Sequence, residues 1–164
     1  MTRYRWLGCT IVGVAAMLAA IAVKPCPWLV YNASDSAPRG FYVVSPATDL
    51  HVGDYVIARL PDEIAALAAE RGYLPRSVPV LKRIAALAKQ AVCLKDGVIY
   101  IDKTVVARAL ATDGNGRPLA PWSGCRHLIL GELFLLNAGN PASFDSRYFG
   151  PIDASYVRGK ALLW

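Results

Sequence analysis

Between Arg5 and Lys24 the chain runs through eighteen residues without a charge, Trp6 to Val23 (WLGCTIVGVAAMLAAIAV). Wound as an α-helix, such a stretch reaches about 27 Å, close to the hydrocarbon thickness of a bilayer. The expectation is an N-terminal membrane helix in residues 1–24, followed by one exported domain in residues 25–164. Arg3 and Arg5 precede the stretch and Trp6 stands at its border. The positive-inside rule then leaves the short N-terminus in the cytoplasm and the remaining chain on the periplasmic side of the inner membrane. A cleavable signal peptide is the competing reading, since Ala20-Ile21-Ala22 offers an A-x-A site. Eighteen apolar residues exceed the usual core of such a peptide, about 7–15 residues, which favours a retained anchor. Either way the domain is exported. A lipoprotein reading fails because Cys26 follows Val23-Lys24-Pro25 and not a run of small apolar residues.

This segment also accounts for much of the composition. With 55% hydrophobic residues and a mean hydropathy of +0.34, the chain is too apolar for a disordered or an average soluble protein. The formal charge of +6 comes from 18 basic and 12 acidic residues, and residues 1–24 carry three of the former and none of the latter. Half of the surplus is therefore topological. Without a Lys/Arg cluster elsewhere, no nucleic-acid partner is expected.

An oxidising compartment makes the cysteines interpretable. Cys93 and Cys125 lie in the exported domain and are expected to pair, against the alternative of two buried thiols. His51 and His127 are isolated, and no Cys or His spacing resembles a ligand set, so neither a metal nor a cofactor is expected.

After Lys24 the sequence reads as short strands separated by turn residues, a mainly β domain. Phe41–Val44, Tyr55–Ile57, Val98–Ile101, Val105–Val106, Glu132–Leu136 and Ala161–Trp164 are β-branched, aromatic or leucine-rich runs. Asp96-Gly97 marks a tight hairpin turn. Asp62–Arg71 carries the one clear helix signature, an acidic first turn and an Ala-rich body with Gly72 beyond. Leu81–Lys89 is ambiguous, because Leu81, Ile84 and Ala88 follow a helical period. Asp113-Gly-Asn-Gly-Arg-Pro118 lacks the Lys-Ser/Thr of a phosphate loop and reads as an exposed turn. Trp28, Tyr31 and Trp122 suit a core or a membrane interface better than a base-stacking platform.

Asn32-Ala-Ser-Asp-Ser-Ala-Pro-Arg-Gly40 places two serines two residues apart in a loop shortly after the apolar segment; taken alone it is an ordinary turn. Read together with Val80-Leu-Lys-Arg-Ile84, Gly131–Leu136 and Ser143-Phe-Asp-Ser-Arg-Tyr-Phe-Gly-Pro151, it resembles the signal peptidase I family. The Ser-x-Ser loop, the Lys-Arg block and the Ser-x-Asp-Ser-Arg-x-x-Gly block stand in that family's order, and the likeness covers roughly residues 30–160. Ser36-Ala-Pro-Arg-Gly departs from the housekeeping pattern, and Asn137-Ala-Gly-Asn140 replaces the Gly-Asp-Asn expected there. The serine segment looks like the TraF-type proteases of conjugative transfer, and the short length agrees with that branch.

The resemblance implies a signal-peptidase-like fold and a Ser-Lys endopeptidase, with Ser36 as nucleophile and Lys82 as general base. Ser34 would join the oxyanion site and Ser143 would orient the lysine. Asp145 and Arg147 form a supporting ion pair, with a structural role for Asp145 as open as a catalytic one. It also implies that Leu81–Ile84 is a strand despite its helical period. The chemistry fits: a serine needs a base within reach, and without a triad histidine a lysine serves only if burial lowers its pKa. The implied substrate is an exported precursor such as a conjugative pilin, hydrolysed or cyclised at the membrane. A general signal peptidase and a non-catalytic envelope assembly factor are the alternatives.

Overall fold

The computed structural model describes residues 9–15, 17 and 29–164. Four antiparallel hairpin-like pairings and one late insertion build its larger sheet. β1 (Leu29–Asn32) pairs with β2 (Gly40–Ser45), and β3 (Tyr55–Ala58) with β4 (Val80–Ala86). β9 (Glu132–Leu135) adds to β4, and the short β10 (Ile152–Asp153) to β9. The last strand, β11 (Val157–Leu163), slots between β2 and β3, giving the order β1-β2-β11-β3-β4-β9-β10. β5 (Ala91–Lys95), β6 (Val98–Ile101), β7 (Thr104–Arg108) and β8 (Gly124–His127) make a second sheet, ordered β7-β6-β5-β8.

Strand burial follows position in the sheet. β2 alternates, with Tyr42 and Val44 inward and Phe41 and Val43 outward, as a half-covered strand should. β3 and β4 are covered on both faces and read as almost continuously buried. That coverage overrides the helical period of Leu81–Lys89: Val80–Ala86 is a strand, and the chain turns at Lys89, φ +76, only after it.

α1 (Asp62–Glu70) starts after Pro61 with Asp62 and Glu63 in its first turn and buries Ala65 and Ala68. It packs over Val56, Ala58, Val80, Ile84 and Leu135 in one apolar cluster. A second cluster, around Val92, Ile99, Leu128 and Phe134, joins the small sheet to the large one. A third, Ala37, Tyr42, Ile57, Leu81 and Ala161, lies under the loop that carries Ser36.

Turn chemistry sets the small sheet. Asp96 (φ 51) and Gly97 (φ 73) make the expected two-residue turn between β5 and β6, both in the left-handed region that such hairpins need. The next turn uses Asp102 (φ 47) and Lys103 (φ 69) without a glycine. The Asp102 carboxylate compensates by accepting from Ala91 N and Gln90 Nε2 at 2.8 and 2.9 Å. Cys93 and Cys125 face each other across β5 and β8 and form the expected disulfide.

The 113–118 turn is more than an exposed excursion. Asp113 accepts from Tyr73 Oη and Arg117 Nε, and Arg71 donates to Pro118 O, which fastens the turn to the end of α1.

The expected N-terminal membrane helix falls mostly outside the described residues. Among the described residues no helix is long and apolar enough to cross a membrane. Residues 9–15 and 17 are helical, while most of the 1–24 segment, its boundary with 25–164, Cys26 and Trp28 lie outside the described residues. A four-residue helix, α2 (Ser146–Phe149), also went unforeseen, since one turn is too short to show a period.

Candidate active site

Ser34 and Ser36 sit in the loop between β1 and β2. Asn32, the last residue of β1 and itself buried, organises that loop through its side chain. Its Nδ2 donates to the carbonyls of Ser34, Ala37 and Pro38 at 3.1, 3.0 and 3.0 Å, and its Oδ1 accepts from Ser34 N and Ser34 Oγ. Gly40, at φ +150, lets the loop rejoin β2 beneath Leu163; a Cβ there would meet Leu163 Cδ1 at 2.9 Å. Ser34 Oγ and Ser36 Oγ are 3.0 Å apart. Because the Asn32 oxygen can only accept, the Ser34 proton is committed to it at 2.8 Å, and Ser36 is the donor to Ser34.

Lys82 stands in the middle of β4, opposite Val56 of β3, and is 4% exposed. Its Nζ donates to Ser143 Oγ at 2.7 Å, and Ser143 is buried too. Burial lowers the Lys82 pKa to about 8; the Asp145 charge opposes that fall and the Arg147 charge adds to it.

The segment after β9 fixes this lysine from below. Asn137 spans the β4 backbone on both sides of Lys82, accepting from Arg83 N at 2.9 Å and donating to Leu81 O at 3.4 Å. Asp145 and Arg147, both fully buried, pair through Nε–Oδ1 at 2.9 Å and Nη2–Oδ2 at 3.0 Å. Asp145 also accepts from Asn137 N and caps α2 through Arg147 N. The Arg147 guanidinium donates to the carbonyls of Arg108, Asn137, Asn140 and Pro141.

The structure thus joins Ser34 to Ser36, Lys82 to Ser143, and Asp145 to Arg147. It does not hydrogen-bond Ser36 to Lys82. The serine loop meets the lysine strand through the packing of Ala37 with Leu81, and meets the C-terminal block through Asn140 Nδ2, which donates to Asp35 O at 3.0 Å. Asp35 pairs on the surface with Arg39. An open cleft of about 810 Å³ runs past this junction, lined by Ser36, Tyr55, Val52, Arg83, Val106 and Asn140 among others.

Sequence reading missed the three asparagines, 32, 137 and 140. Asn140-Pro141 and the Asn32 turn carry a recognisable local signal, but which carbonyls an amide will grip depends on the tertiary fold.

The chain matches the family described as signal peptidase, peptidase S26, over residues 1–164. It is 33% identical over 164 residues to the probable conjugal transfer protein TraF of Sinorhizobium fredii, covering 92% of this chain and 86% of that one. A plasmid transfer protein TraF of Escherichia coli is 30% identical over 162 residues, 92% of this chain and 89% of the relative. A crystal structure of a signal peptidase I from Enterococcus faecalis aligns with a TM-score of 0.43 at 19% identity, over 71% of this chain and 98% of that one.

Proposed function

The chain belongs to the signal peptidase family, peptidase S26, and on that footing we propose that it is a serine endopeptidase with Ser36 as nucleophile and Lys82 as general base. The observation that carries this reading is the state of Lys82. It is a buried amine with no ion-pair partner among the described residues, bonded to the Ser143 hydroxyl and lowered to about 8. At pH 7 about a tenth of such lysines are neutral, against fewer than one in a thousand at the ordinary value.

Ser36 turns its hydroxyl from Ser34 toward the lysine, and neutral Lys82 accepts the proton as Ser36 Oγ attacks the substrate carbonyl. The oxyanion takes hydrogen bonds from Ser36 N–H and from Ser34 once its proton leaves Asn32. Collapse breaks the C–N bond, the departing amine receives the proton from Lys82, and an ester on Ser36 remains. Water resolves the ester to a linear product; an amine of the same substrate resolves it to a cyclic one, lighter by one water.

The substrate we propose is an exported precursor of a transfer apparatus, such as a pilin subunit, a reading supported by the relatives named as conjugal or plasmid transfer proteins. We place the reaction on the periplasmic side of the inner membrane. Leu29, Tyr31, Phe41, Val43 and Leu162, with Trp164 just past β11, support contact with a membrane, being exposed side by side on the outer face of β1, β2 and β11.

The test incubates candidate pilin precursors with the wild-type chain, Ser36→Ala and Lys82→Ala, with products identified by mass. Both variants are expected to lose at least about a thousandfold in rate. The wild-type rate is expected to climb with pH through an inflection near 8, where Lys82 loses its proton. Unchanged processing by Ser36→Ala overturns the assignment.

A further inference from the structure

Asn140 makes two contacts that the steps above leave unused. Its Nδ2 donates to Asp35 O at 3.0 Å, and its own main-chain carbonyl accepts from Arg147 Nη2 at 2.8 Å. Its Oδ1 accepts from Ala142 N at 2.8 Å, which fixes the amide end that faces Asp35.

Asp35 O belongs to the peptide unit whose other end is the Ser36 N–H. That unit is planar and trans, so its C=O and N–H point opposite ways and cannot turn independently. Whatever holds the oxygen aims the N–H. The Asn32 side chain grips the carbonyls of Ser34, Ala37 and Pro38 and leaves the Asp35–Ser36 unit to Asn140. The Asp35 carboxylate does not compete for this role, being engaged with Arg39 on the surface.

We propose that Asn140 is a positioning residue for the oxyanion site: its amide locks the Asp35–Ser36 peptide so that the Ser36 N–H faces the developing oxyanion, and ties that orientation to the buried Asp145–Arg147 pair. The proposal rests on Ser36 being the nucleophile. It joins two segments more than a hundred residues apart, the contact spanning 105 positions. The consequence is that the C-terminal block acts on both halves of the chemistry, on the lysine through Ser143 and Asn137 and on the oxyanion donor through Asn140.

The test uses Asn140→Asp in the full chain. This variant keeps the acceptor for Ala142 N and the carbonyl for Arg147, and replaces the donor toward Asp35 O by a charged acceptor oxygen. Hydrogen exchange is expected to quicken in residues 34–37 while residues 80–86 and 143–149 keep their protection. With a precursor substrate, kcat is expected to fall by about ten- to a hundredfold, less than the loss of an oxyanion donor outright. KM, the inflection near pH 8 and the melting temperature stay as in the wild type. Asn140→Ala removes the donor without adding a charge, though it also removes the acceptor for Ala142 N; the two variants share only the lost donor, and both are expected to quicken exchange in residues 34–37.

Unchanged exchange in residues 34–37 in both variants overturns the proposal. So does a kcat loss accompanied by a moved pH inflection and lost protection in 143–149, which would mean that the ion pair had come apart. If the wild-type chain shows no Ser36-dependent cleavage, the nucleophile assignment fails by itself, while the exchange measurement still decides whether Asn140 holds the loop.

Discussion

Lys82 illustrates how a single residue sets activity against stability. Its pKa falls from the ordinary 10.5 to about 8 on folding, so between those values the unfolded chain binds a proton that the folded chain does not. Stability therefore rises with pH across that window. Above about 10.5 the penalty is absent; as pH falls through 8 it reaches its full size of about 3 kcal/mol. Lys82→Met, close in length and without charge, is expected to be more stable than the wild type at pH 7, by up to about 3 kcal/mol less the cost of leaving the Ser143 hydroxyl without its partner. Urea midpoints of the two proteins from pH 7 to 10.5 check this, and a gap that fails to narrow over the range contradicts it. The reactive side chains were legible because serine and lysine stand at family positions. The amides were not: an asparagine has no chemistry of its own to announce, and Asn32, Asn137 and Asn140 matter only through the carbonyls and N–H groups that the fold brings to them.

At the scale of elements, β8 is the weakest part of the frame. All four of its residues are exposed, it forms an edge of the small sheet, and the chain reaches it through a long segment after β7. The Cys93–Cys125 bond compensates, closing a loop of 32 residues' separation directly across the β5–β8 ladder. Replacing both cysteines by serine is expected to cost about 3–4 kcal/mol in the chain-entropy account, read as a lower denaturant midpoint. Catalysis at low temperature should survive, since neither cysteine bonds to a site residue; loss of activity in a protein that remains folded would refute that separation. The pairing was legible from the cysteine count and the expected export. Periodicity misled at β4, where the family likeness gave the strand, and the Ala161–Trp164 run caught only the end of β11. The helical period of Leu81–Lys89 is carried by few residues and yields to burial on both faces. The first half of β11 is hidden by Arg158, Gly159 and Lys160 and by a register irregularity after Val157.

For the whole molecule, the proposed function requires the cleft to meet a bond presented at a bilayer. The serine loop is the connection between β1 and β2, the two strands whose outer faces carry Leu29, Tyr31, Phe41 and Val43. Leu162 lies in register with Val43, and Trp164, 88% exposed, is bonded through its N–H to Phe41 O. Laid on lipid, that face would bring the Ser36 loop to the surface where a precursor's apolar segment ends. Each aromatic side chain that enters the interface contributes on the order of 2 kcal/mol by area. A full-length Tyr31→Ser/Phe41→Ser/Trp164→Ser variant is therefore expected to cleave a vesicle-embedded precursor at least about tenfold more slowly. It should cleave a short water-soluble peptide bearing the same bond at the wild-type rate, because none of the three residues lines the cleft. The comparison of the two substrates is the decisive feature. A parallel fall on both would mean that the substitutions damage the fold. Equal rates on both would mean that residues 1–24 alone hold the enzyme at its substrate.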